Sequence, residues 1–355
     1  MALALALGRR GLGRTWPNPA VGAIIVKDGA IVGRGWTQAG GRPHAEVEAL
    51  QRAGEAARGA TLYVTLEPCS HHGKTPPCAD AVIAAGIARV VSALEDPNPQ
   101  VAGQGHARLR AAGIAVDVGL GADEARRDHA GHIRRMRDGR PHVMLKLAIS
   151  ADGKAAGAGG KPIAITGEAA HERVHLMRAQ SDAIAIGIGT AIADDPMLTC
   201  RLPGMAKDSP VRVVLDNALR LPVNSRLVAT AREIPVWAVC GVQVPQDAEA
   251  ALRAHGVEVL RSPASASRVD LKDALDFLAT KGITRLMVEG GPALAAALIA
   301  ADLVDEAILF HSPKIVGADG VDALAETTMT ALTGRLKQVA SIAVGDDRQD
   351  SYERG

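Results

Sequence analysis

Apolar residues along this chain come in short runs separated by amphipathic stretches, with Gly, Pro, Asn and Asp at the joints. Short apolar runs bounded by such residues read as strands, and stretches at helical spacing read as helices. The runs 21–26 and 30–36 flank Asp28-Gly29, a dipeptide that folds a chain back into a hairpin. A helix over 45–54 follows, then a strand over 61–66 that leads into Glu67-Pro68-Cys69. The stretch 77–86 predicts a helix with Pro77 near its start and Gly86 at its end. Strands over 89–93 and 114–118 enclose a helix over 105–113. This alternation predicts a sheet covered by helices.

A charged helical stretch over 121–138 comes next, and Pro141 breaks it off. Its basic end, from Arg134 to Arg137, suits either phosphate binding or a solvated helix face between domains. From His142 the pattern restarts, with strands over 143–150, 182–187, 211–216, 235–240, 257–260, 283–289 and 307–311. Helices are expected over 168–180, 271–281 and 292–300. The chain therefore divides into a domain over 1–140 and a second α/β domain over 141–355, with no internal repeat.

Composition narrows the picture. Aromatic residues are only 2 % of the chain, so both cores must be built from Val, Ile, Leu and Ala. The formal net charge of +1 gives no reason to expect nucleic acid or an anionic membrane as a partner. No apolar run is long enough to cross a bilayer. The opening apolar run is short and has no basic residue before it, so it reads as a helix fragment ending in Arg9-Arg10 rather than a signal peptide. Cys69 and Cys78 sit close together, whereas Cys200 and Cys240 are far apart, which suits a cytoplasmic protein with reduced thiols.

The candidate chemistry lies around those first two cysteines. His44-Ala45-Glu46 opens a helix, Cys69 follows a strand, and Cys78 stands near the start of another helix. One imidazole and two thiolates suit a zinc ion that keeps one position for water. Glu46 can project beside the metal without binding it and carry protons between water, a ring nitrogen and a leaving amine. A His-x-Glu paired with Pro-Cys and a later Cys is the signature of zinc deaminases. His71 and His72 are rival ligands by chemistry. A fourth protein ligand would close the site, so their loop points instead to substrate contact or plain exposure.

With these motifs the first domain resembles the cytidine deaminase superfamily. Pro17-Asn18-Pro19, His44-Ala45-Glu46 and the segment from Glu67 to Cys78 resemble the riboflavin-biosynthesis deaminases in particular, whose bacterial form is fused to a reductase. Eight residues separate Cys69 from Cys78, where nucleoside and nucleic-acid deaminases typically have two. The resemblance implies a cytidine-deaminase-like three-layer α/β/α domain with one zinc ion on His44, Cys69 and Cys78, and with Glu46 as the catalytic proton shuttle. It implies that Asn18 orients the pyrimidine and that His71, Lys74 and Thr75 lie in the loop over the ribosyl phosphate. It also implies a longer helix ahead of Gly11 than the one beginning at Met1 here.

In the second domain Gly187-Ile188-Gly189 lacks the third glycine of a dinucleotide-binding fingerprint. Glu289-Gly290-Gly291 ends a strand ahead of a helix. Its backbone N–H groups could hold a phosphate, or it could be an ordinary turn. The runs 146–153, 193–199 and 288–292 resemble the riboflavin reductase domain, with a dihydrofolate-reductase-like fold that uses NADPH. By that resemblance Ala148, Thr190, Asp194, Gly290 and Gly291 contact the nucleotide. Lys146, Pro162, Arg178, Leu198, Arg201 and Glu289 line the substrate site, with Lys146 near the ribose. Two arginines suit a phosphosugar, whose oxygens they can grip bidentately. Asp152 also reads as a turn residue before Gly153. Related proteins often carry Ser and Trp where this chain has Pro162 and Ala164, which would loosen cofactor or substrate contact. The function expected is bifunctional: a zinc hydrolase deaminates a phosphoribosylated diaminopyrimidine, then an NADPH-dependent oxidoreductase reduces its ribosyl group to ribityl. The alternative is a deaminase of another small base with a weak or non-catalytic second domain. The partners expected are the small phosphoribosyl pyrimidine and further copies of the chain, as a dimer or tetramer, with no nucleic acid and no membrane.

Overall fold

The computed structural model describes residues 1–73, 75–99, 101–262 and 269–355. They form two compact units, Met1–Gly139 and Arg140–Gly355.

The first unit is built on five strands, β1 (Gly22–Lys27), β2 (Ala30–Trp36), β3 (Thr61–Val64), β4 (Arg89–Ser92) and β5 (Ala115–Val118), in the order β2-β1-β3-β4-β5. β1 and β2 form the hairpin expected at Asp28-Gly29. β1 runs antiparallel to β3, and β3, β4 and β5 are parallel. Its helices are α1 (Ala2–Gly8), α2 (Ala45–Ala53), α3 (Cys78–Ala84), α4 (Gln104–Ala111), α5 (Ala122–Asp128) and α6 (Ala130–Asp138). Side chains alternate across a strand. Ala23 and Ile25 of β1 accordingly join Ala45 and Ala49 of α2 and Ala79 and Val82 of α3, while Ile24 packs with Ala4 and Leu7 of α1. Helix, sheet and helix make the expected three layers.

The seat of α2 matters for function, because residues 44–46 lie at its start. Its sheet-facing residues are alanines, and β2 offers them bare backbone. A Cβ at Gly35 would lie 2.1 Å from the Ala45 carbonyl oxygen, and one at Gly33 would lie 2.3 Å from that of Ala49. Glycine at both places lets the helix lie flush on the strand.

The charged stretch 121–138 is two helices rather than one. His129 leaves helical geometry between them (φ −95°, ψ 10°) and turns its buried ring to Thr65, with Nε2 3.1 Å from Oγ1.

The second unit carries β6 (His142–Ile149), β7 (Lys154–Ala156), β8 (Ala183–Gly187), β9 (Val211–Leu215), β10 (Val236–Cys240), β11 (Glu258–Arg261), β12 (Arg285–Val288), β13 (Glu306–His311), β14 (Val321–Asp322), β15 (Lys337–Val344) and β16 (Asp347–Glu353). Nine of them form one sheet in the order β11-β10-β9-β8-β12-β6-β13-β16-β15, and β7 pairs with β14 apart from it. The seven from β11 to β13 are parallel, and β16 and β15 close one edge as an antiparallel hairpin. The helices are α7 (Glu168–Ala179), α8 (Ile188–Asp194), α9 (Arg226–Ala229), α10 (Gln246–Ala254), α11 (Leu271–Thr280), α12 (Pro292–Ala300) and α13 (Glu326–Arg335). Ile184, Ile186 and Val214 pack on one face with Val174 of α7 and Leu252 of α10. Their neighbours Ala183, Ala185 and Val213 are equally buried. A parallel sheet covered on both faces explains why these strands read as unbroken apolar runs.

The hydrophobic pattern did not announce the final hairpin, nor α8, α9, α10 and α13. β15 is exposed along its length except at Val344, so burial left no alternation in its sequence.

Candidate active sites

His44 is the N-cap of α2, in extended conformation (φ −73°, ψ 159°), and Glu46 follows in the first turn. His44 Nδ1 lies 3.2 Å from Cys78 Sγ and 3.7 Å from Cys69 Sγ. Cys69 lies beyond the end of β3, and Cys78 opens α3 and donates its backbone N–H to Cys69 Sγ at 3.3 Å. The three ligand atoms lie within 4.8 Å of one another. A tetrahedral zinc with Zn–S about 2.3 Å and Zn–N about 2.0–2.1 Å would set nitrogen and sulfur roughly 3.6 Å apart, so this donor set fits zinc. Three ligands leave the fourth position for water.

The other ring nitrogen faces Asn18, whose Nδ2 is 3.5 Å from His44 Nε2 and donates to the Gly41 carbonyl at 2.8 Å. Gly41 has φ 84°, and a Cβ there would stand 2.7 Å from Asn18 Nδ2. A side chain would therefore push Asn18 from its place. Asn18, Arg42, His44, Glu46, Cys69 and His71 line a common cavity of about 160 Å³, with Asp96, His132 and Arg135 among its other walls. Thr75 is exposed and accepts a hydrogen bond from Arg42. His72 is exposed and outside the cavity lining. Lys74 lies outside the described residues.

Arg42 and Gly41 escaped the sequence reading, and so did the role of Glu67. The buried Glu67 carboxylate accepts backbone N–H groups of Asp96 (3.1 Å), Gly103 (2.9 Å) and His106 (3.1 Å). This anchors the loop that brings Asp96 to the cavity, where His132 Nε2 meets its Oδ1 at 3.0 Å. Glu67, Glu95 and His106 also bring possible ligand atoms together. Three N–H donors already occupy Glu67, so that cluster is a loop anchor.

Burial pushes the Glu46 carboxyl up to about 7, against the pull of His44. The Cys69 thiol is lowered by the hydrogen bond from Cys78 and then by His44. Cys78 is raised by that same bond and by burial. His44 is raised, chiefly by its bond to Cys69, with the Arg42 charge opposing. A thiolate beside an imidazole and a carboxyl that titrates near neutrality is an arrangement for metal binding and proton transfer.

The second unit gathers a separate set. Glu289 follows β12, and Arg178 from α7 donates to both its oxygens at 2.6 and 2.9 Å. Lys146 on β6 reaches within 3.9 Å of the same carboxylate. Burial alone would raise Glu289, but Arg178 and then Lys146 hold it below the usual carboxylate range. Burial lowers Lys146. Ala148 is two residues along β6 from Lys146, so both share one face of the strand. Arg178, Leu198 and Arg201 line a cavity of about 300 Å³ together with Pro196, Met197 and Arg226. Arg226 is a further residue that the sequence reading missed.

Thr190 of α8 accepts the Gly291 N–H at 3.0 Å, so Thr190 and the Gly290-Gly291 turn meet. A Cβ at Gly290 would stand 2.7 Å from Leu294 Cδ2. The bare turn at the start of α12 suits close approach by a nucleotide, with one of its N–H groups already taken by Thr190. Asp194 is exposed at the end of α8. Pro162 and Ala164 are exposed and absent from the lining of the arginine cavity. The carbonyl of Ala164 accepts from Lys314 Nζ at 2.8 Å. Asp152 accepts from Ser150 and from the N–H groups of Val316 and Gly317, so it ties the turn before Gly153 to the 316–317 segment.

Known proteins match both units. Residues 1–94 match the cytidine and deoxycytidylate deaminase zinc-binding region, and residues 141–348 match the RibD C-terminal domain. The riboflavin biosynthesis protein RibD of Escherichia coli is 46 % identical over 330 residues, covering 90 % of this chain and 88 % of that protein. A solved structure of Acinetobacter baumannii RibD aligns over 100 % of this chain and 97 % of its own, with TM-score 0.88 and 38 % identity. A Thermotoga maritima structure described as a diaminohydroxyphosphoribosylaminopyrimidine deaminase and 5-amino-6-(5-phosphoribosylamino)uracil reductase aligns with the same coverages, TM-score 0.86 and 34 % identity. The second unit thus has the expected dihydrofolate-reductase-like fold.

Proposed function

The chain belongs to the RibD family of riboflavin biosynthesis, which joins a zinc-binding deaminase domain to a reductase domain, and on that premise we propose how its own residues carry the two reactions. The observation that carries the first assignment is the cluster of His44, Cys69 and Cys78 at the wall of a cavity that Glu46 and Asn18 also line.

The first substrate is the phosphoribosylated diaminopyrimidinone, a small phosphoribosyl pyrimidine. His44, Cys69 and Cys78 hold zinc, which when bound acidifies the attacking water. Asn18, fixed by Gly41, orients the ring by hydrogen bonds to its polar edge. Glu46 takes the proton from water as it attacks the amine-bearing carbon and returns it to a ring nitrogen. It then moves a second proton to the departing nitrogen, the tetrahedral carbon collapses, and ammonia leaves. Burial favours the protonated form of Glu46, which equips it to donate the proton as well as to accept it. His71 and Thr75 are assigned to the ribosyl phosphate, and so, by family resemblance alone, is Lys74.

The second reaction reduces the ribosyl group of 5-amino-6-(5-phosphoribosylamino)uracil to ribityl. NADPH, when bound, supplies the hydride that reaches C1 of the sugar. Ala148, Thr190, Asp194, Gly290 and Gly291 hold the nucleotide. Lys146, oriented by Glu289, presents a proton to the sugar oxygen as the ring opens. Arg178 and Arg201 grip the phosphate, and Leu198 and Glu289 wall the site; Pro162 is assigned to the substrate by family resemblance alone. No covalent nucleophile is needed, because positioning of hydride donor and sugar supplies the rate.

Reduced cysteines fit a cytoplasmic location, and Cys200 and Cys240 are free and buried. Among the described residues no helix is long and apolar enough to cross a membrane. A homo-oligomer, dimer or tetramer, would use a free sheet edge such as β15, where Val339 and Ile342 are exposed. A net charge of +1 offers nucleic acid no attraction.

The test is Glu46→Gln with ammonia release and zinc content measured together. We expect zinc to remain and ammonia release to fall by at least ~10²-fold. A variant that kept full ammonia release would overturn Glu46 as the proton carrier.

A further inference from the structure

The cavity of about 300 Å³ in the second unit is lined by three arginines, Arg178, Arg201 and Arg226. Their charges are not balanced alike. Glu289 matches Arg178 through two hydrogen bonds. Arg201 and Arg226 have no carboxylate within salt-bridge distance of their guanidinium groups among the described residues. The root of Arg226 is held in place: its backbone N–H donates to Asp195 Oδ1 at 2.8 Å, and Ser225 before it caps α9. The charges sit close enough to act on one another, since the Arg201 guanidinium is lowered by burial and then by Arg178 and Arg226. The same wall contains Leu198, a non-glycine residue at φ 54°. Like charges gathered at one opening repel unless an anion joins them. Two guanidinium groups without a salt-bridge partner among the described residues match a phosphate monoester, which carries about −1.5 to −2 near pH 7.

We propose that Arg226 is a third phosphate-binding arginine of the reductase site, one that sets its preference for the phosphorylated over the dephosphorylated sugar. The proposal rests on the reading of Arg178 and Arg201 as substrate residues. Arg226 is a specificity residue and takes no part in hydride transfer. A phosphate monoester could come from the ribosyl 5-phosphate or from the 2′-phosphate of NADPH. The site is assigned to the sugar, because Arg178 joins it to Glu289 and Lys146.

The experiment compares wild type, Arg226→Ala and Arg226→Lys in NADPH oxidation. The substrates are 5-amino-6-(5-phosphoribosylamino)uracil and its dephosphorylated counterpart. Arg226→Ala should raise KM for the phosphorylated substrate by about tenfold, the size of one lost charge-assisted contact. KM for NADPH and for the dephosphorylated substrate should stay within about twofold. Arg226→Lys should recover part of the loss, since it keeps the charge without the fork. Ammonia release and the thermal transition report that the variants fold. An unchanged KM for the phosphorylated substrate, or an equal rise for both sugars, would overturn the proposal. A rise confined to NADPH would move Arg226 to the 2′-phosphate and also overturn it. If wild type oxidised no NADPH with the phosphorylated substrate, the reductase reading itself would fall, and the proposal with it.

Discussion

Gly35→Ala adds one methyl group against the turn that carries His44 and Glu46, and it should disable the first reaction. The new Cβ would stand 2.1 Å from the Ala45 carbonyl oxygen, 2.6 Å from the Ala49 nitrogen and 2.9 Å from Glu48 Cβ. Ordinary contact begins at 3.4 Å, so α2 must retreat from β2 by about 1 Å. Two of the three obstacles are backbone atoms, which no rotamer change can move aside. Overpacking of this kind costs about 1–3 kcal/mol of stability. The larger effect is on the site, because the retreating turn carries His44 and Glu46. A misplacement of about 1 Å at a reacting group costs on the order of 10²-fold in rate. The assay measures zinc per chain, ammonia release, and NADPH oxidation with the deaminated substrate supplied directly. We expect lowered zinc content, ammonia release reduced by about two orders of magnitude, and reductase activity within about twofold of wild type. A variant with full zinc and full ammonia release would refute the claim that the bare strand positions the helix.

Cys69→Ala and Cys78→Ala should each lose stoichiometric zinc and ammonia release, read by metal analysis alongside the ammonia assay. A chelator should stop ammonia release and spare NADPH oxidation of the deaminated substrate, since zinc is assigned to the first unit alone. Lys146→Met should lower kcat for NADPH oxidation by about 10²-fold or more and leave ammonia release intact. Arg140→Ala should destabilise the second unit by about 3–5 kcal/mol, because it strips the buried Asp305 of two hydrogen bonds at 2.6 and 2.8 Å. Burial alone would raise Asp305, but Arg140 and His142 hold it below its ordinary value, so the carboxylate's contribution is present above its unfolded pKa of about 3.9 and lost as pH falls below it. Denaturation of wild type and variant should therefore converge on acidification, and a gap that widened would refute this.

Much of the first site was legible because its residues lie in local motifs. His44 and Glu46 share one helix start, and Cys69 and Cys78 each stand at the edge of an element. Spacing along the chain was enough to bring them to attention. Gly41 and Arg42 carry no such mark, since they matter through Asn18 and Thr75, which are distant in sequence. Arg226 is likewise the start of a short helix in sequence and a cavity wall only in space. Periodicity found the buried parallel strands, where both faces are apolar, and failed at β15, where burial imposes nothing. It also ran α5 and α6 together, because the His129–Thr65 contact that parts them is not local.

The central claim is that one chain deaminates and then reduces the same molecule. Zinc-loaded protein should be given the phosphoribosylated diaminopyrimidinone and NADPH, and ammonia and NADPH absorbance followed together. The account expects one ammonia released and one NADPH consumed per substrate, with oxidation lagging behind ammonia release. Ammonia without any NADPH oxidation, or oxidation that ran ahead of ammonia, would contradict it.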